Sequence, residues 1–123
     1  MNDYDASAAT LALMQCFNAA FVQRRPELLA PLIAEDCVIE NTVPAPNGER
    51  LVGHDACLAL WSGLAASRDG CFEPEDIEAY GERAIVRWRY RWGDDEASSV
   101  RGVNLMRVRN GRIVEALGYV KGA

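Results

Sequence analysis

Three residues of this chain could take part in chemistry while standing in or beside strand-like sequence: Glu40, Asn41 and Asn104. An amide cannot take a proton at neutral pH. It can orient a substrate or steady a developing oxyanion through its N–H groups, which leaves Glu40 as the acid that would move the proton. The plainer reading of the two asparagines is hydrogen bonding to nearby backbone at strand ends. What raises the functional reading is a set of large apolar side chains, Phe17, Trp61, Trp88, Tyr90 and Met106, whose spacing turns them toward one interior. Large rings beside a few convergent polar groups are what a site for a small apolar or amphipathic molecule requires. The candidate site therefore has Asn41, Asn104 and Glu40 as catalytic groups and those five as ligand contacts.

Other reactive residue types point away from chemistry. His54, the single histidine, opens a helical stretch where a rim or solvent role is expected, and Asp55 beside it suits a helix N-terminus. The four cysteines Cys16, Cys37, Cys57 and Cys71 form no CxxC pair, and one histidine is too few to complete a zinc site with them. They read as reduced, small core hydrophobes, and no metal or cofactor is expected. A net charge of -5 argues against nucleic acid, because phosphate neutralisation drives that binding. The arginines concentrated between Arg83 and Arg112 have Glu73, Glu75, Asp76, Glu78, Glu82 and Glu115 for company. Thr10, Gln15 and Asn18 interrupt the apolar run Ala8 to Val22, far short of the ~20 residues that span a membrane. With Asp3 and Asp5 in place of a basic leader, a cytoplasmic location is expected.

The elements that must position these residues follow from periodicity. Leu11, Met14, Phe17, Phe21 and Val22 recur at helical spacing, capped by Ser7 or Asp5. Pro26 opens a second, short helix with Leu28, Leu29, Leu32 and Ile33, which Pro31 limits. A strand over Cys37 to Thr42 precedes an irregular loop, and Gly53-His54-Asp55 opens a third helix carrying Cys57, Leu58, Leu60, Trp61 and Leu64. From Phe72 the period becomes two: Phe72 to Tyr80, Ala84 to Gly93, Ser98 to Val108 and Arg112 to Val120 read as strands, the last pair joined by an Asn110-Gly111 hairpin turn. Alternation sets Val86, Trp88, Tyr90 and Trp92 inward against Arg87, Arg89 and Arg91, and groups Gly102, Asn104 and Met106 on one face. At 123 residues, the chain has material for one core and is read as a single domain over 1–123.

In this order of elements, Phe17-Asn18-Ala19-Ala20, Glu35 to Asn41, Gly53-His54-Asp55-Ala56 and Arg101 to Val108 resemble the SnoaL-like and ketosteroid-isomerase-like proteins of the nuclear transport factor 2-like superfamily. The resemblance implies an α+β, cone-shaped, cystatin-like roll, with three N-terminal helices packed on a curved, mainly antiparallel sheet that encloses a pocket. It also implies that Asn41, Phe17 and Asn104 stand where ketosteroid isomerases have a carboxylate base, a Tyr and a protonated Asp. Steroid isomerisation is therefore not expected. Ile39 to Pro44 is similar to the strand of limonene epoxide hydrolases in which an Asn holds the attacking water, but Gly102, Asn104 and Ala116 or Gly118 stand where their Arg and acids would be. SnoaL-type cyclases use a pocket Asp, and no Asp lies between Glu96 and Ala123; Glu115 is expected to face outward.

Three readings stay open at this point: an enzyme acting on a small, mostly apolar substrate, of isomerase, cyclase or hydrolase type; a non-catalytic ligand-binding or accessory domain; and an assembly module. A homodimer is expected through the outer sheet face, where Val103, Leu105, Leu117 and Tyr119 alternate with Arg101, Arg107 and Glu115.

Overall fold

A computed structural model describes residues 2–122. The first helix, α1 (Asp3–Val22), starts before the apolar period does, because the Asn2 side-chain oxygen accepts the Asp5 backbone N–H at 2.9 Å. Ser7, expected as a cap, instead accepts the Gly81 backbone N–H at 2.7 Å, while the hydroxyl of Thr10 donates to the Gly81 carbonyl at 2.6 Å. These two contacts fix α1 against the turn between β3 (Cys71–Tyr80) and β4 (Arg83–Arg91). Thr10 is thereby satisfied although it is buried.

Beyond α1, the second helical segment is a pair of 3-10 turns, Pro26–Leu28 and Ala30–Leu32, each with a proline at its start that lacks the N–H a longer helix would need. Strand β1 (Ile33–Glu40) therefore begins earlier than expected, and the buried Ile33, read from the sequence as helical, opens it. A three-residue edge strand, β2 (Arg50–Val52), pairs with β1, and α2 (His54–Ala66) follows. Arg24, at a left-handed φ of 53°, donates its guanidinium to the carbonyls of Ser67 and Gly70, tying the end of α1 to the end of α2.

The remaining chain is the expected antiparallel meander through β3, β4, β5 (Ser99–Arg109) and β6 (Arg112–Val120). Asn110 and Gly111 both have positive φ, 53° and 75°, as the tight hairpin turn requires. The six-stranded order is β2-β1-β6-β5-β4-β3, with β1 parallel to β6 and every other pair antiparallel. The fold is thus an α+β roll with a mixed sheet, its helices lying on one face.

Met14, Leu29, Ile33, Cys37, Cys57 and Ile113 are wholly buried between those layers. Each such aliphatic side chain contributes on the order of 1.5–3 kcal/mol. Only two of the cysteines behave as the sequence suggested: Cys37 and Cys57 are core, and burial pushes both thiols up, whereas Cys16 and Cys71 are exposed. Trp92 also departs from expectation. It shares a side with Tyr90, at 6.4 Å between rings, but lies past the end of β4 and is 54% exposed.

Candidate functional site

Under the helices, the inner face of the sheet leaves a cavity of about 270 Å³. One turn of α1 supplies Phe17 and Phe21, α2 supplies Trp61, and the sheet supplies Phe72, Trp88 and Tyr90. Their rings meet edge to face in a continuous chain: Trp61 to Phe17 and Phe17 to Phe21 at 4.9 Å, Phe21 to Phe72 at 5.3 Å, Phe72 to Trp88 at 5.5 Å. Each such pair adds roughly 0.5–1.5 kcal/mol beyond its buried area.

Both asparagines reach this cavity. Asn104 lies on β5 between Val86 of β4 and Gly118 of β6. Its side-chain oxygen accepts the Trp88 indole N–H at 3.2 Å. Asn41 follows β1, its backbone N–H held by the Glu49 carbonyl at 2.8 Å, and its side-chain oxygen accepts the Thr42 backbone N–H at 2.8 Å. Indole and backbone N–H groups only donate, so their partner atom on each amide must be the oxygen. Among the described residues neither Nδ2 donates to a protein group, and no sealed-off polar side-chain atom lacks a partner. The two NH2 groups are therefore without a protein partner among the described residues.

Two expected site residues are placed otherwise. Met106 does not line the cavity; it is 3% exposed and packs in the core, opposite Ala84 and Ala116. It shares a face with Asn104, but two residues along a strand is a step of about 7 Å, which carries it past the cavity floor. Glu40 touches the cavity, yet its carboxylate lies 3.4 Å from Arg50 Nη1. The only irregularity in the pairing of β1 with β6 lies between Ile33 and Val38, so at Ile39 the alternation is undisturbed and Glu40 shares the outer side with its neighbour Leu117. The Glu40 carboxylate is thus directed to Arg50 on that side. Glu115 is outward too, 3.7 Å from Arg107.

His54 stands outside the lining. Its Nε2 is 2.9 Å from the Ala30 carbonyl and its Nδ1 3.4 Å from the Asp55 carboxylate. The Ala30 carbonyl first, and then the Asp55 carboxylate, raise its pKa above the ordinary value. Among the described residues no three His, Cys, Asp or Glu side chains converge as a metal site would need. Among the described residues no helix is long and apolar enough to cross a membrane.

Sequence reasoning did not assign Asn18, Thr42 or Phe72 to the lining. Asn18 adjoins Phe17 and Thr42 adjoins Asn41, so adjacency to an assigned residue was the available signal. Gly102 and Gly118 matter for what they leave open. A Cβ on Gly102 would collide with the indole of its cross-strand neighbour Trp88, and one on Gly118 would lie 3.0 Å from Thr42 Cγ2 and 3.4 Å from the Asn104 amide oxygen.

Comparison with known proteins places this geometry. The pattern of the SnoaL-like domain matches residues 14–116. An NTF2-like protein of unknown function from Mesorhizobium loti is 53% identical, with 94% of this chain and 93% of that one covered and a TM-score of 0.88. A putative ketosteroid isomerase from Kribbella flavida has 24% identity over 95% and 81% of the two chains, with a TM-score of 0.79. A putative polyketide cyclase from Sinorhizobium meliloti has 22% identity over 87% and 93%, with a TM-score of 0.69. The last two likenesses speak for the fold alone. The curated proteins returned no match.

Proposed function

The chain belongs to the SnoaL-like domain family, and from that premise we propose that it binds a small, mostly apolar molecule in its cavity, oriented by the amides of Asn41 and Asn104, without itself moving a proton. The observation that carries this reading is the polarity of the lining: the amides of Asn41 and Asn104, each held by its oxygen, in a wall of aromatic rings, with the Glu40 carboxylate turned to Arg50. Hydrogen-bond donors fixed in an apolar cavity orient a ligand. General acid–base work needs a titratable group within reach of the reacting atom. In the enzymatic alternative the same two amides orient a substrate and steady an oxyanion. That alternative needs its base or acid from the substrate or from a hydroxyl in the lining. Calorimetric titration with neutral ten-heavy-atom ketones tests the binding reading: saturable binding supports it, and no heat from any of them rejects it.

A second copy of the chain on the outer sheet face belongs to the same proposal. There Ile85, Leu105 and Leu117 form one cross-strand row, with Val103 beside Tyr119 in the next, and Leu105 and Tyr119 are exposed. The flanking charges are paired within the chain, Arg101 with Glu75 at 3.0 Å and Arg107 with Glu115 at 3.7 Å, rather than left for a partner. The attraction between copies is then the apolar row itself, bordered by neutralised pairs. A cytoplasmic setting is also proposed, where all four free thiols would stay reduced.

A further inference from the structure

We propose that Trp88 biases which molecules the cavity accepts, by holding the Asn104 amide in the one orientation that leaves its NH2 free to donate. This rests on the reading of the cavity as a ligand site. An asparagine amide is ambivalent, because a half turn of its end group exchanges a donor for an acceptor. The Trp88 Nε1–H, 3.2 Å from the amide oxygen, removes that freedom, since the flipped amide would set two donors against each other. Asn41 is held in the same sense by the Thr42 backbone N–H.

The sheet is shaped to keep this contact. Gly102, directly across from Trp88, leaves the space its indole fills, and Gly118 leaves space beside the accepting oxygen of Asn104. The hydroxyls of Thr42 and Tyr90 and the amide of Asn18 in the lining can turn to donate or accept, so the bias comes from Asn41 and Asn104. The cavity thus favours neutral molecules with an acceptor oxygen, such as ketones, esters, lactones or quinones. It disfavours molecules whose only polar group donates. Its size sets a further limit: a cavity of about 150 Å³ holds benzene, so about 270 Å³ suits a one- or two-ring molecule.

Three probes of nearly one shape separate the effects: 1-indanone with a carbonyl acceptor, indole with only an N–H donor, and indene with neither. Calorimetry on the wild-type protein is expected to show 1-indanone binding about fivefold to tenfold more tightly than indole or indene, the weight of one good neutral hydrogen bond. Trp88→Phe keeps a ring in place and removes the N–H. It is expected to bring the indanone-to-indole ratio close to one, with indole gaining as the amide turns. Asn104→Leu is expected to abolish the indanone advantage while indene still binds. If Trp88→Phe weakens all three probes in parallel and keeps the wild-type ratio, Trp88 only packs and the proposal is overturned. Equal wild-type affinities for indanone and indole also overturn it, while the cavity remains a ligand site. Failure of all three, indene included, removes both readings together.

Discussion

The carboxylate of Glu40 faces Arg50 Nη1 at 3.4 Å on the outer side of the β1–β2 pair, while Asn41, the next residue, reaches the cavity. One step along the chain thus separates an acid paired away from the site and an amide within it. Fold alone does not decide function, but this separation limits which chemistry the cavity can run.

Steroid isomerisation is expected to be absent. With an amide at Asn41 and Glu40 turned outward, the general-base contribution of roughly 10²- to 10⁴-fold is missing. Conversion of a β,γ-unsaturated ketosteroid to its conjugated isomer, followed by ultraviolet absorbance, should run at the buffer rate. Robust turnover would mean that another residue, Glu40 first among them, has taken the base role.

Stability and binding should separate between two residues of one strand. Met106→Ala empties a core position and is expected to cost about 2–5 kcal/mol in denaturant unfolding, with ligand affinity retained in the folded fraction. Asn104→Leu should instead change ligand preference. If Met106→Ala leaves stability intact but alters binding, the cavity extends further along β5 than the structure places it.

The contacts of His54 set a pH dependence of stability. Its folded pKa is raised by the Ala30 carbonyl and then by Asp55, with Glu35 acting in the same direction. A group raised on folding gives its full contribution below the unfolded value, near 6.5, and loses it as pH rises through the folded value. Melting temperatures should therefore decline as pH rises through that window, and His54→Gln should flatten the decline. An unchanged profile in the variant would assign the dependence to other groups.

The outer face is expected to pair two chains. Light scattering at micromolar concentration should give about twice 13.5 kDa, and Leu105→Arg should halve it without changing ligand binding. A wild-type mass near 13.5 kDa would reject the dimer.

The parts of the site that were legible in the sequence sit in long periodic segments. Trp88, Tyr90 and Asn104 lie on strands of nine and eleven residues, where alternation fixes the face, and Phe17 and Trp61 lie on helices with a clear repeat. Alternation does not say how far along a face a cavity runs, which is why Met106 reads the same as Asn104 although it is sealed in the core. The partner of Glu40 was hidden for a different reason. Arg50 returns through an aperiodic loop onto a three-residue strand too short to show a pattern. Leu28, Leu29, Leu32 and Ile33 mimic a helix because two consecutive 3-10 turns carry nearly the same spacing, and this concealed the true start of β1.

The most direct measurement follows the side-chain NH2 resonances of Asn41 and Asn104 in a proton–nitrogen correlation spectrum during titration with 1-indanone. The account predicts that both pairs of signals shift saturably with one affinity, and that Asn104→Leu weakens the shift at Asn41 through the lost affinity. Saturable shifts elsewhere with both amides unmoved would contradict it, because the ligand would then be held by something other than these two donors.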